Sequence, residues 1–422
     1  MIGEPARDDL ARSAEWIDTP EGLADVIRAL RSEPRYALDT EFHRERTYFP
    51  KLALVQLAWP GRLVLVDPLA VDLAPFAEVL EGPAVAVLHA ADQDLEILQL
   101  ACGRTPARLF DTQVAAGFLG FSSASLVSLV ERLIGARILK GDRLTDWIRR
   151  PLTDSQRLYA ASDVLHLLQL HDLLIEKLEG CGRLSWAEDE CQRLLERARS
   201  GQDPETAWWR IKDSRSLRGP ARGIAQELAA WRERRAAELD RPSRMVLSDM
   251  ALLGIANRRP SGEQDLKDIR GLDARQLKGA ALAGVLEAVR TGAALGKDQV
   301  RVPPVDDFDR QLRPAVTLVS AWVGQLALDL RIDPALLATR ADLQAFLRSD
   351  PGGRLAAGWR RELVGEPIRR LVEGDAALAF RPGRGDLVLE ARSREEIVVQ
   401  AAVPDFATPE TPGGEPEVVT PA

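Results

Sequence analysis

The sequence predicts a mixed α/β sheet with flanking helices, followed by two small all-α units, and three observations lead there. Between Tyr36 and Leu119, short apolar runs are first joined by turn residues and then alternate with helical spacing, the order that builds a mixed sheet. From Arg222 onward the apolar spacing is helical, with Gly, Pro and Asn at the breaks. Charge divides at the same place: Thr206 to Lys297 holds 18 Lys plus Arg against 11 Asp plus Glu, a balance of +7 in a chain of net charge -8. The remainder therefore carries -15. An acidic part joined to a basic one suits cation binding in the first and phosphate contact in the second.

Thr19-Pro20-Glu21 is a helix start, and Leu23, Val26, Ile27 and Leu30 then fall on one face, which predicts a helix over 21–31. A strand over 36–42 follows. After the charged loop His43 to Arg46, apolar runs at 52–59 and 63–66 flank Pro60-Gly61, a hairpin signal, so the first three strands should be sheet neighbours. Residues 84–89 read as a fourth strand, followed by a helical pattern at Leu95, Ile97 and Leu98. A fifth strand over 108–111 leads into a helix over 112–119. Helices are predicted over 125–134 and 154–178; in the second, Tyr159 and Asp163 are four apart and share a face. A charged helix over 186–199 ends at Gly201-Gln202-Asp203-Pro204. The basic unit follows as helices over 222–239, 243–257 and 273–290, and Pro303-Pro304 separates it from a second helical unit over 308–374. These signals divide the chain into 1–200, 206–293 and 305–376, with 403–422, rich in Pro, Thr, Glu and Gly, expected to be disordered.

At 422 residues, 45% apolar and 28% charged, the chain is too long for one core and has an ordinary globular composition. Cys102, Cys181 and Cys191 form no Cys-x-x-Cys pair and leave at least one thiol unpaired, which argues for a reducing cytoplasm and against a zinc site. Met1 to Leu10 lacks the apolar core of a signal peptide, and Leu63 to Leu80 is interrupted by Asp67, Pro68, Asp72 and Pro75, so no membrane association is expected.

The chemistry begins on the first long strand. Asp39 and Glu41 are two positions apart and project to one side, while Leu38, Thr40 and Phe42 take the other. Two carboxylates side by side in an apolar strand repel unless they face solvent or a cation lies between them. Asp94, just after the fourth strand, and Asp163, on the long helix, extend the acidic set, and open α/β sheets bring such strand and helix ends together. Four oxygen ligands without Cys or ligand-spaced His favour Mg²⁺ or Mn²⁺. Two such ions about 3.5–4 Å apart would activate a water for phosphodiester displacement. Tyr159, with a reference pKa near 10, would stay protonated and could orient that water.

Asp39-Thr40-Glu41-Phe42, Thr47-Tyr48-Phe49-Pro50 and Leu54-Val55-Gln56-Leu57-Ala58 together resemble the first exonuclease motif of the ribonuclease D family. His89 with Asp94-Leu95 resembles the second. Arg150-Pro151-Leu152 with Tyr159-Ala160-Ala161-Ser162-Asp163-Val164 resembles the third. The resemblance spans about Leu38 to Leu170 and implies a ribonuclease H-like fold and a DEDDy-type 3'-to-5' exonuclease using two divalent ions. Carried over by position, Asp39, Glu41 and Asp163 would hold the first ion, Asp39 and Asp94 the second, and Tyr159 the water. The helical units resemble the HRDC domain, the better match lying over Ala207 to Arg290. The family implies tRNA precursors as substrates of an enzyme that releases 5'-monophosphates from RNA, and a monomer is expected.

Other residues have two readings. Thr40, Phe42 and His89 would contact substrate, or serve as core and as a hydrogen-bonded histidine. His43 and Arg44 suit a phosphate contact or a solvated loop. His166 and His171 sit among leucines and suit packing; Trp208 and Trp209 suit packing between domains. The run Arg232-Glu233-Arg234-Arg235 suits a solvated face or a nucleic-acid patch. Two alternatives to an exoribonuclease stay open here: a DNA-directed exonuclease with the same site, and an inactive RNA-binding scaffold.

Overall fold

The computed structural model describes residues 11–138, 145–201, 203–267, 269–272, 277–303, 310–383 and 385–392. The sheet has six strands: β1 (Glu15–Ile17), β2 (Arg35–His43), β3 (Lys51–Trp59), β4 (Arg62–Val66), β5 (Val85–Leu88) and β6 (Arg108–Asp111), in the order β1-β4-β3-β2-β5-β6. β2, β3 and β4 are antiparallel neighbours, as the hairpin signals predict; β1, β5 and β6 add in parallel. β2 is therefore internal, paired on both edges. A register shift between Glu41 and Phe42 marks a bulge at the end of the acid pair, a device that re-aims side chains.

Helix α1 (Pro20–Leu30) starts where expected: the Thr19 hydroxyl accepts from the Gly22 N–H at 3.2 Å, and Leu23, Val26, Ile27 and Leu30 are all buried. Each such aliphatic side chain taken from water contributes about 1.5–3 kcal/mol. They pack with Tyr36 and Leu38 of β2, with Leu95 and Leu98 of α2 (Asp92–Cys102), and with Cys191 and Leu195 of a later helix. β6 runs directly into α3 (Thr112–Gly117). The long helix predicted over 154–178 is two helices, α4 (Asp154–Leu165) and α5 (Leu167–Gly180), divided at His166. No Gly or Pro marks that break. Thr153 and Gln156 form a full capping box at the start of α4. α6 (Leu184–Ser200) ends the sheet region and carries Cys191 and Leu195 back to its core.

The basic helical unit consists of α7 (Pro220–Leu239), α8 (Asp249–Arg258) and α9 (Ala280–Ala294) around a separate core that includes Trp208, Ile224, Leu228, Leu252 and Val285. The helix expected over 243–257 is broken at Leu247, with Ser248 capping α8, and residues 273–276 lie outside the described residues. α7 and α9 cross with almost no side chain between them. A Cβ on Gly223 would come within 2.3 Å of the Gly292 carbonyl, so neither glycine can be replaced without moving a helix. Trp208 packs inside this unit and is fully buried. Arg232 and Glu233 are buried too, Arg232 pairing with Asp249 at 2.6 Å. The solvated-face reading of that run therefore fails for these two and holds for Arg234, which is exposed. The second helical unit includes α10 (Arg313–Leu330) and α11 (Arg340–Leu347).

Contacts at two places, among others, fasten these helices to the sheet region. The Asp240 carboxylate, after α7, accepts from the Tyr48 and Phe49 N–H groups at 3.1 Å each. Asp333 N–H donates to the Gly117 carbonyl at 2.8 Å, where a Cβ on Gly117 would meet Leu336 at 2.7 Å. By internal contacts the chain divides after Glu366. The second unit contains a hairpin that the sequence reading passed over, β7 (Ala376–Phe380) and β8 (Leu387–Ala391), with Leu378 opposite Leu389. Residues 403–422, expected to be disordered, lie outside the described residues. No single helix among the described residues is long and apolar enough to cross a membrane.

Candidate active site

β2 delivers Asp39 and Glu41 to the sheet face that α4 crosses, and α4 supplies Asp163. One carboxylate oxygen from each of the three lies within 4.8 Å of the other two. The sequence predicts this grouping, and the structure brings it together. Burial pushes the Asp39 carboxyl well above the usual carboxylate range, and the like charges of Asp94, Asp163 and Glu41 push it further; of the groups acting on it, only the Thr40 backbone opposes.

Asp94 reaches the same neighbourhood from the first turn of α2 but is not one of the clustered three. Its carboxylate accepts from the Thr40 hydroxyl at 2.5 Å, and burial raises it to about 7 against that hydrogen bond. Thr40, a candidate substrate contact, is buried and occupied with Asp94. Phe42 is half-buried. His89 Nδ1 lies 2.9 Å from the Thr112 hydroxyl, whose own proton goes to the Leu88 carbonyl at 3.0 Å. That assigns the Nδ1 proton to His89 and favours its hydrogen-bonded reading over substrate contact. Burial lowers its pKa, with Asp111 opposing. His166 and His171 are buried, His171 against the edge of Phe110, in keeping with packing.

Tyr159 shares the helix face of Asp163 and lies under the indole of Trp147, ring centroids 6.0 Å apart. The loop bearing Trp147 is pinned by Arg150. Its guanidinium donates to both oxygens of buried Asp67 at 2.7 Å, to the Ala53 carbonyl at 2.6 Å and to the Trp147 carbonyl at 2.7 Å. Sequence reasoning gave no role to Asp67, Trp147 or Asp111, and placed Gln56 only within the first exonuclease motif. Gln56 is fully buried opposite Asp39 on the neighbouring β3, and neither end of its amide has a hydrogen-bond partner among the described residues. Asp111 was legible as a cap, being an Asp immediately before a helix start.

A cation suits this cluster. The donors are all carboxylate oxygens, the set that hard divalent ions take, and burial with the like charges around it pushes Asp39 toward protonation, which a cation would reverse. A separate cleft of about 900 Å³, lined by none of the clustered acids, lies between the loop after β2 and the basic unit; Arg44, Arg210 and Arg244 line it together with Tyr48 and Phe49, and so do Asp92, Glu96 and Asp249.

Comparison with known proteins agrees. A 3'-5' exonuclease family model matches residues 14–179 and an HRDC domain model matches 221–289. The ribonuclease D of Gluconacetobacter diazotrophicus is 40% identical over 374 residues, covering 87% of this chain and 93% of that protein. That of Escherichia coli K12 is 34% identical, covering 85% and 98%. The crystal structure of Escherichia coli RNase D, described as an exoribonuclease involved in structured RNA processing, superposes with a TM-score of 0.76 at 33% identity, covering 86% of this chain and 99% of that one. The catalytic core of RRP6 from Trypanosoma brucei gives 0.52 at 25% identity, covering 67% and 80%.

Proposed function

The chain belongs to the ribonuclease D family of metal-dependent 3'-5' exoribonucleases, and from that premise we propose that it trims tRNA precursors from a free 3' end, releasing one 5'-monophosphate at a time. The observation that carries the chemistry is the convergence of Asp39, Glu41 and Asp163 within 4.8 Å. These three would hold one divalent ion, and Asp39 with Asp94 a second, Mg²⁺ or Mn²⁺. When bound, such ions lower the pKa of water and neutralise charge that develops on a leaving oxygen.

The protein's own groups do the rest. β2, paired with β3 at both Asp39 and Glu41, fixes their spacing. α4 sets Asp163 and Tyr159 one turn apart, a spacing that would let the phenol orient a water beside the carboxylates by hydrogen bonding. Packing under Trp147 limits how that phenol can move. The +7 balance of the basic unit supports a grip on structured RNA that weakens with salt. A single chain acting in the cytoplasm completes the proposal; Cys102, Cys181 and Cys191 all carry free thiols.

The test is Asp163→Asn assayed on matched RNA and DNA single strands. Loss of 3' trimming on RNA, with intact chain folding, is expected. RNA degradation at the wild-type rate would remove Asp163 from the site, and a wild-type enzyme that prefers DNA would overturn the substrate class.

A further inference from the structure

We propose that Asp111, outside the acidic cluster, is a positioning residue that sets Asp94. The inference rests on the reading of Asp94 as a cation ligand and deepens it. Asp111 ends β6, is 1% exposed, and has both carboxylate oxygens committed to backbone. Oδ1 accepts from Gln113 N–H at 2.8 Å and Val114 N–H at 3.2 Å, which is ordinary N-capping of α3. Its other two bonds leave its own helix. Oδ1 accepts from Ala90 N–H at 3.1 Å and Oδ2 from Ala91 N–H at 2.8 Å, at the start of α2, twenty residues back in sequence.

α2 needs that help. Its N-cap is Ala91, which has no side-chain oxygen to offer. Ala90, just before it, adopts a φ of 59°, a left-handed conformation that an alanine holds only when its surroundings impose it. One carboxylate thus fastens two helix starts and a strained turn between β5 and α2. Asp94 is three residues beyond Ala91, in the first turn of the helix so fastened. The neighbouring Thr112 holds the other end of the same turn, through the Leu88 carbonyl and His89. Release of Asp111 would let the first turn of α2 shift while β2 and α4 kept Asp39, Glu41 and Asp163 in place. The consequence is selective: the cation held partly by Asp94 would weaken, and RNA docking would not.

The full chain carrying Asp111→Ser separates the two jobs. Serine remains a good cap for α3, but its single short oxygen cannot also span to Ala90 and Ala91. Mn²⁺ binding by titration calorimetry is expected to weaken by about 10- to 100-fold, the range found when groups that orient metal ligands are removed. kcat on a single-stranded oligoribonucleotide should fall with it and recover in part at raised Mn²⁺, with KM changed less than twofold. An unchanged Mn²⁺ isotherm would overturn the inference, whether kcat holds or falls. If Asp111→Ser does not give a cooperative melt, Asp111→Asn, which keeps the size and one acceptor oxygen, is read by the same isotherm. Asp94→Asn is the control. Full activity in that variant would sink the site reading itself, whereas an inactive Asp94→Asn beside a normal Asp111→Ser would sink only the positioning role.

Discussion

Two acidic sites in the sheet region, buried Asp67 and part-buried Asp39, differ in how their charge is answered. Asp67 is met by Arg150 through two bonds of 2.7 Å, and the rest of that guanidinium is spent on the Ala53 and Trp147 carbonyls and on the face of Trp16, 5.6 Å away. Asp39 is surrounded instead by Asp94, Asp163 and Glu41. The chain meets the first charge with a guanidinium and surrounds the second with like charges. The difference separates a fastening from a functional site: acids that are costly to the fold persist where something outside the chain uses them.

The largest effect should come from relieving the unbalanced site. Asp39→Asn removes the carboxylate on which the other three press, and trimming should fall by roughly 10³-fold or more, since charge stabilisation by a bound cation supplies several kcal/mol of the barrier. The same variant, free of metal, should melt at a higher temperature than wild type. A variant that loses activity and stability together would show Asp39 to be part of the framework. The balanced site should behave in the opposite sense. Arg150→Ala leaves Asp67 buried without its partner, a change that costs about 3–5 kcal/mol when one member of a buried pair is lost. Arg150 is 23% exposed, which places the expectation toward the lower figure. Chemical denaturation reads it directly, and an unchanged midpoint would mean that Asp67 is hydrated.

Proton linkage sharpens the contrast further. Asp94 is raised to about 7 in the folded state, from 3.8 as its ordinary value, chiefly by burial. The folded state therefore holds a proton that the unfolded chain has lost, and stability falls as pH rises between those two values, by a few kcal/mol at most. Below the lower value and above the upper one the contribution is flat. Melting temperatures taken in EDTA from pH 4 to pH 7 should decline more steeply for wild type than for Asp94→Asn, and saturating Mn²⁺ should lift the upper end. Parallel profiles for the two proteins would contradict a buried Asp94 whose carboxyl the fold holds protonated.

The unbalanced site was legible in the sequence and the balanced one was not, for a physical reason. Asp39 and Glu41 are related by strand alternation, and Tyr159 and Asp163 by the helical turn, so local periodicity shows both pairs. Asp67 and Arg150 are 83 residues apart, and the Asp111 bonds to Ala90 and Ala91 cross between two strands; no local pattern contains such partners. The same limit explains Arg232, which reads as a surface charge until Asp249 is seen beside it. β1 was missed because three residues are too few to show a period. The hairpin of Ala376–Phe380 and Leu387–Ala391 did have a signal, Pro382-Gly383 between two apolar runs. The break between α4 and α5 had none, because His166 ends the helix through its backbone angles alone.

The smallest effect tests whether solvent, and not distance, separates these sites. Arg28 and Asp25, one turn apart on α1, are joined at 2.7 Å, the same separation as Arg150 and Asp67. Their side chains are 75% and 62% exposed. Water screens the attraction, and holding two long side chains in one geometry costs entropy, so such a helical pair is worth only about 0.3–0.5 kcal/mol. Arg28 also lies in the last turn of α1, where a cation favours the carbonyl end of the helix by a similar small amount. Arg28→Ala should therefore shift the denaturation midpoint by less than a quarter of the shift for Arg150→Ala, and 1 M salt should erase most of the difference. If the two variants cost the same, contact distance would govern both pairs. The contrast between a charge answered inside the protein and one answered by water would then lose its basis.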